Sequence, residues 1–129
     1  MPLKIIATLL LLGLSVSVWA LDAEPYSKER FAELRDNQEL VLIDVFADWC
    51  PTCARQHEIL RKYRVQHPEV NLHILTVNYD DDRRSVRELR APRQSTLILY
   101  YGDKQFWYSV AETREDVIFD AINRAAAFE

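Results

Sequence analysis

The sequence predicts an α/β domain, a central mixed β-sheet flanked by helices on both faces, and three observations predict it. Leu40–Phe46 (LVLIDVF) is an almost continuous apolar run, the mark of a strand covered on both faces. Segments with helical spacing of apolar residues alternate with strand-like segments along the chain. Near the end, two strand-like runs flank Gly102-Asp103, a hairpin turn signal.

Each element follows from its own residues. Ser27 is placed to cap a helix over 28–37, with Phe31 and Leu34 inward. The apolar strand comes next. Pro51 fits the first turn of a helix, where its missing N–H costs nothing. That helix runs to Gln66 and stops before Pro68, with Ile59, Leu60 and Tyr63 on one face. Val70–Tyr79 returns as a strand. Asp80–Asp82 starts a short helix carrying Val86 and Leu89, and Pro92 breaks it. Thr96–Tyr101 and Gln105–Val110 form the hairpin. Thr113 with Asp116 resembles a capping box. The last helix carries Val117, Ile118, Ala121, Ile122 and Ala125 at helical spacing. The expected order is α–β–α–β–α–β–β–α. Two strand–helix–strand units imply parallel pairing with right-handed crossovers, and the hairpin adds an antiparallel edge.

Composition narrows the function classes. A chain of 129 residues suits one domain, and 49% hydrophobic with 28% charged residues fits a soluble globular protein. The net charge of -4 and the absence of any Lys/Arg run argue against nucleic acid as a partner. With two glycines, the chain cannot build a Gly-rich phosphate loop.

The N-terminus differs from the rest. Lys4 is the only charged side chain among residues 1–20, and the uncharged, Leu-rich run from Ile5 to Leu21 includes Val18-Trp19-Ala20. This is the pattern of a secretory signal peptide over 1–20, followed by a domain over 21–129. The same run sits at the lower edge of what spans a bilayer, so an uncleaved membrane anchor is the alternative. Either way the domain is expected outside the cytoplasm, in the periplasm or otherwise exported.

Export sets how the two cysteines are read. Disulfides persist outside the cytoplasm. Yet closing the short loop between Cys50 and Cys53 removes little unfolded-chain entropy, so stability is a poor reason for the pair. Cys50-Pro51-Thr52-Cys53 lies where the buried strand feeds a helix. The free N–H groups and positive dipole end of a helix favour an anion, and the thiolate is the reactive form of cysteine. Cys50 at the helix mouth is therefore the candidate nucleophile. Cys53, one turn inside, is the candidate that resolves the mixed disulfide. Asp44 is the only charge in the apolar strand. A carboxylate shielded from water is a better proton acceptor than a hydrated one.

Phe46-Ala47-Asp48-Trp49-Cys50-Pro51-Thr52-Cys53 resembles the active-site segment of thioredoxins. It is still more similar to the version found in the soluble domain of membrane transporters that carry reducing power into the bacterial periplasm. The resemblance spans residues 27–127 in element order. It implies a thioredoxin-like fold and a redox-active Cys50–Cys53 disulfide without a bound cofactor. It implies the catalytic roles of Cys50 and Cys53, and places Asp44 beneath the resolving cysteine. It gives Trp49 a surface role beside the nucleophile, makes Pro51-Thr52 the dipeptide that tunes the potential, and assigns Ser95-Thr96 to the substrate-docking segment opposite the cysteines. The implied partners are protein disulfides or dithiols and a membrane electron donor. The implied direction is reduction, with oxidation as the alternative because Pro51-Thr52 is not the Gly-Pro of reducing thioredoxins.

The departures define the rival readings. Ser95 stands where the family has a cis-proline, so its peptide bond is either trans or a costly non-proline cis bond; the alternative is that Pro92, three residues earlier, takes that role with a longer loop. Phe46 replaces a frequent Trp, Glu58 a helix-kinking Pro, Thr76 a Lys near the buried acid, and Ala111 a Gly. Loss of the proline supports a thioredoxin-fold binding module, or Cys50 and Cys53 holding a metal or sharing an iron–sulfur cluster between two chains. Outside the motif, His57 is expected on the helix surface, and Asp80–Asp82 as a solvated turn without calcium-loop spacing. Tyr100, Tyr101, Phe106, Trp107 and Tyr108 crowd the hairpin, where alternation divides them between core and surface.

Overall fold

The computed structural model of the chain describes residues 22–128. The segment expected to be a signal peptide or anchor lies outside the described residues. The elements are β1 (Glu24–Pro25), α1 (Lys28–Asp36), β2 (Leu40–Phe46), α2 (Pro51–Gln66), β3 (Leu72–Asn78), α3 (Arg83–Glu88), β4 (Thr96–Tyr101), β5 (Lys104–Val110) and α4 (Glu115–Ala126). The five strands form one mixed sheet in the order β1-β3-β2-β4-β5.

β2 is central, paired parallel to β3 on one edge and antiparallel to β4 on the other. Its alternating side chains feed two separate cores. Leu40 and Leu42 join Ile59, Leu60 and Tyr63 of α2, Ile118 and Ile122 of α4, and Leu97 and Leu99 of β4. Val41, Ile43 and Val45 face Phe31 and Leu34 of α1 and Val86 of α3. Because both faces are dry, the strand reads as a continuous apolar run rather than an alternation.

Local signals account for most boundaries. Ser27 Oγ accepts from the Arg30 N–H at 3.1 Å and caps α1. Asp82 Oδ1 accepts from Ser85 N–H at 3.1 Å and caps α3, and hydrogen bonds from the Ser85 side chain and backbone hold the Asp82 carboxyl below its usual range. Asn78 Oδ1 accepts from the N–H groups of Asp80 and Asp81, so the acidic run is a hydrogen-bonded turn. Gly102 closes the β4–β5 hairpin at φ 53°, and a Cβ there would lie 2.5 Å from the Gln38 side-chain oxygen.

Three expectations are corrected. The second strand–helix–strand unit is not parallel: β4 runs antiparallel to β2, because the chain after α3 re-enters the sheet from the opposite end. The two-residue β1, parallel to β3, is too short to leave a pattern in the sequence. Thr113 and Asp116 do not form the expected capping box. The N-cap of α4 is Arg114, without a side-chain cap bond. Instead Glu112 accepts from the Arg114 N–H at 2.8 Å and from the Arg114 guanidinium at 3.0 and 2.8 Å.

Two predictions follow from this packing. Ile118 is fully buried, so Ile118→Ala should lower unfolding stability by about 2–5 kcal/mol in urea titrations, whereas the half-exposed Val65→Ala should change it by less than about 0.5 kcal/mol. The bonds from Arg114 depress the Glu112 carboxyl from 4.5 to about 2. Its contribution to stability is therefore complete above its ordinary value and is lost as pH falls toward about 2. Glu112→Gln should lower the melting temperature at pH 7, and the gap to the parent protein should narrow on acidification.

Candidate functional site

β2 ends at Phe46, and the short segment Ala47–Trp49 leads into α2. The Cys50 N–H donates to Ala47 O at 3.2 Å, which folds that segment into a turn. Cys50 is the N-cap of α2: its backbone is extended and its Sγ accepts from Cys53 N–H at 3.1 Å. A sulfur thus sits where an Asp or Ser oxygen usually satisfies a free helix N–H, and that N–H would stabilise a thiolate there. Pro51 occupies the first turn, where it forfeits no helix bond.

Cys50 and Cys53 are joined by a disulfide, with Cα atoms 5.3 Å apart. Cys50 is 5% exposed and Cys53 1%, packed with Ala47 and half-buried Phe46. Pro51 is exposed and Thr52 half-buried at the same rim. Trp49 stands 65% exposed beside them, and its indole N–H donates to Asp80 at 2.8 Å. That bond ties the tryptophan to the turn after β3 and fixes the orientation of an otherwise free ring.

Asp44 is fully buried, on the face of β2 that looks toward α2. Thr76 of β3 and Leu97 of β4 are its neighbours in register. Its Oδ2 lies 2.6 Å from Nε2 of His57, while Oδ1 has no hydrogen-bond partner. His57 is therefore not the plain helix-surface residue expected from the sequence. It follows Cys53 by one helical turn, its side chain is 23% exposed, and its ring packs against Phe46 with centroids 5.8 Å apart. Cys53 and His57 share one face of α2 by their i,i+4 spacing, and the His57 bond places Asp44 under that face.

Ser95 adopts φ 60° and is buried, and no cis peptide occurs among the described residues. Its bond is trans: left-handed backbone, not a cis bond, turns the chain into β4. Ala111 across the sheet has the same φ of 60°. Ser95 and Ala111 face each other, with Ala111 N–H donating to Ser95 O at 2.9 Å. The hydroxyls of Ser95 and Thr96 donate to the carbonyls of Gln94 and Arg93, and both residues are buried.

Gln56 was not singled out in the sequence. It is fully buried, and its amide N–H groups donate to Ser95 O and Glu112 O, both at 3.1 Å. It latches α2 to the two loops that border the disulfide. Its position at helical spacing before Ile59, Leu60 and Tyr63 put it on the apolar face, and a polar residue there was the available signal.

Comparison with known proteins agrees with this arrangement. The Thioredoxin family model matches residues 22–124. A thiol:disulfide interchange protein DsbE of Yersinia pestis is 35% identical over 97 residues, covering 72% of this chain and 49% of the relative. The chain thus spans about half the length of that relative. A thioredoxin of Chlamydia trachomatis is 32% identical over 98 residues, covering 76% of this chain and 93% of the relative. Among solved structures, Trxlp from Edwardsiella tarda superposes with a TM-score of 0.72 at 35% identity, covering 78% of this chain and 97% of the other. The disulfide at the strand–helix junction, the mixed five-stranded sheet and these matches have one common meaning: the chain belongs to the thioredoxin family.

Proposed function

We propose that the protein is an exported thiol–disulfide oxidoreductase that exchanges the Cys50–Cys53 pair with protein substrates, working as a reductase. The observation that carries this reading is the position of Cys50 Sγ as the cap of α2, accepting the Cys53 N–H. A sulfur held there is stabilised as thiolate by the bond and by the helix dipole. Cys50 attacks a substrate disulfide, and the buried Cys53 then attacks Cys50 and releases the substrate. Asp44 takes the Cys53 proton, which its burial under the same face of α2 supports.

Trp49, Pro51 and Thr52 form the rim a substrate meets, and the segment of Ser95 and Thr96 is the opposing side. The exported location rests on the apolar segment over Ile5–Leu21 after Lys4. The matches to DsbE are consistent with it. The reducing direction rests on the likeness of Ala47-Asp48-Trp49-Cys50 to periplasmic electron carriers, and it requires a membrane partner that returns electrons to the disulfide.

Two measurements test this. The redox state of Cys50–Cys53, read by thiol labelling in glutathione buffers, should give a potential near the roughly -270 mV of thioredoxin. A value near about -120 mV would instead make the protein an oxidant of its substrates. In the second, Cys53→Ser should accumulate mixed disulfides with partner proteins through Cys50, and Cys50→Ser should abolish insulin-disulfide reduction. Retained turnover in Cys50→Ser would refute the assignment of the nucleophile.

A further inference from the structure

Asp44 is buried in an apolar layer with one oxygen bonded and one bare. Burying a carboxylate without compensating bonds is costly, and the single bond it has among the described residues comes from His57. We propose that His57 is a positioning residue for the proton-transfer step of dithiol–disulfide exchange: by binding Oδ2 it holds the Asp44 carboxylate with Oδ1 free to receive the thiol proton of Cys53. This rests on the exchange reading above and assigns a residue that the reading itself does not require.

The geometry supports the assignment in three ways. The 2.6 Å contact reaches from α2 to β2, so it fixes the carboxylate relative to the helix that carries Cys53. His57 and Cys53 lie one turn apart on the same helical face. The Phe46 ring, tilted 59° against the imidazole, confines it. His57 also keeps an edge in water, whereas Asp44 and Cys53 have essentially none.

In the reducing direction Cys50 Sγ is bonded to a substrate sulfur after the first substrate thiolate has left. Cys53 gives its proton to Asp44 Oδ1, and its sulfur attacks Cys50 Sγ. The Cys50–Cys53 bond forms, the bond from Cys50 to the substrate breaks, and the second substrate thiolate departs with that electron pair. The cysteine pair has lost two electrons and the substrate disulfide has gained them. The proton on Asp44 then passes to solvent.

The surroundings make the step sensitive to the charge of His57. β3 and β4 present Thr76 and Leu97 beside Asp44, neither of which titrates in the working range. α2 adds Arg61 one turn past His57, and the solvent-exposed pairs Arg55–Glu58 and Lys62–Glu115, the last reaching from α4. Water screens those pairs. With His57 neutral, its Nε2–H orients the carboxylate. When His57 gains a proton, the added charge stabilises the carboxylate anion and weakens it as a base.

The test is single-turnover reaction of the reduced protein with a chromogenic aromatic disulfide, in which attack by Cys50 and then by Cys53 each release one coloured thiolate. His57→Leu should leave the first phase intact and slow the second about tenfold. His57→Gln, which restores a donor to Oδ2, should recover most of the parent rate of the second phase. A second phase with the parent rate in both variants, or one slowed equally in both, would overturn the role of His57 and leave the exchange reading standing. Absence of the first phase in the parent protein would defeat the exchange reading itself, and with it this inference.

Discussion

β2 has no free edge and no free face. Every side chain from Leu40 to Val45 is buried between two helical layers, and both backbone edges are paired. A strand so enclosed can present chemistry only at its end. Phe46 is where burial relaxes, and Cys50 follows four residues later at the mouth of α2. The site is thus a consequence of enclosure: the sheet holds the junction rigid, and the helix supplies an N–H to the sulfur that caps it.

The same enclosure explains the importance of Asp44. On the α2 side of β2 the sequence places Leu40, Leu42 and then an acid, so the periodicity of the strand drives a carboxylate into the apolar layer. Such a group must find a partner or disrupt the packing. The partner comes from α2, the helix that holds both cysteines. Acid, imidazole and thiols are therefore linked by two elements packed on one another, and displacement of either element would move all of them together.

A second set of constraints meets at Gln56. It bridges Ser95 and Glu112, the residues at the entry to β4 and the exit from β5. Ser95 and Ala111 both hold left-handed backbone, which is unfavourable for residues with a Cβ. The bond between them and the latch from α2 hold that geometry in place. A proline is not needed to turn the chain here, because positive φ at Ser95 accomplishes the turn by another route.

The sequence by itself determined the layered α/β architecture, the bounds of β2, α2 and β4, the thiol pair at the junction and the burial of Asp44. Each of these is local: an apolar run, a proline at a helix start, a motif read within a few residues. Tertiary structure decided what depends on distance in the chain. The antiparallel entry of β4 and the partnership of His57 with Asp44 join residues whose spacing carries no pattern. His57 read as a surface residue because helical periodicity gives the face of a side chain but not what lies beneath it. Only the packing of α2 on β2 put a carboxylate there, and the physical reason is that a buried charge selects its partner in space rather than in sequence.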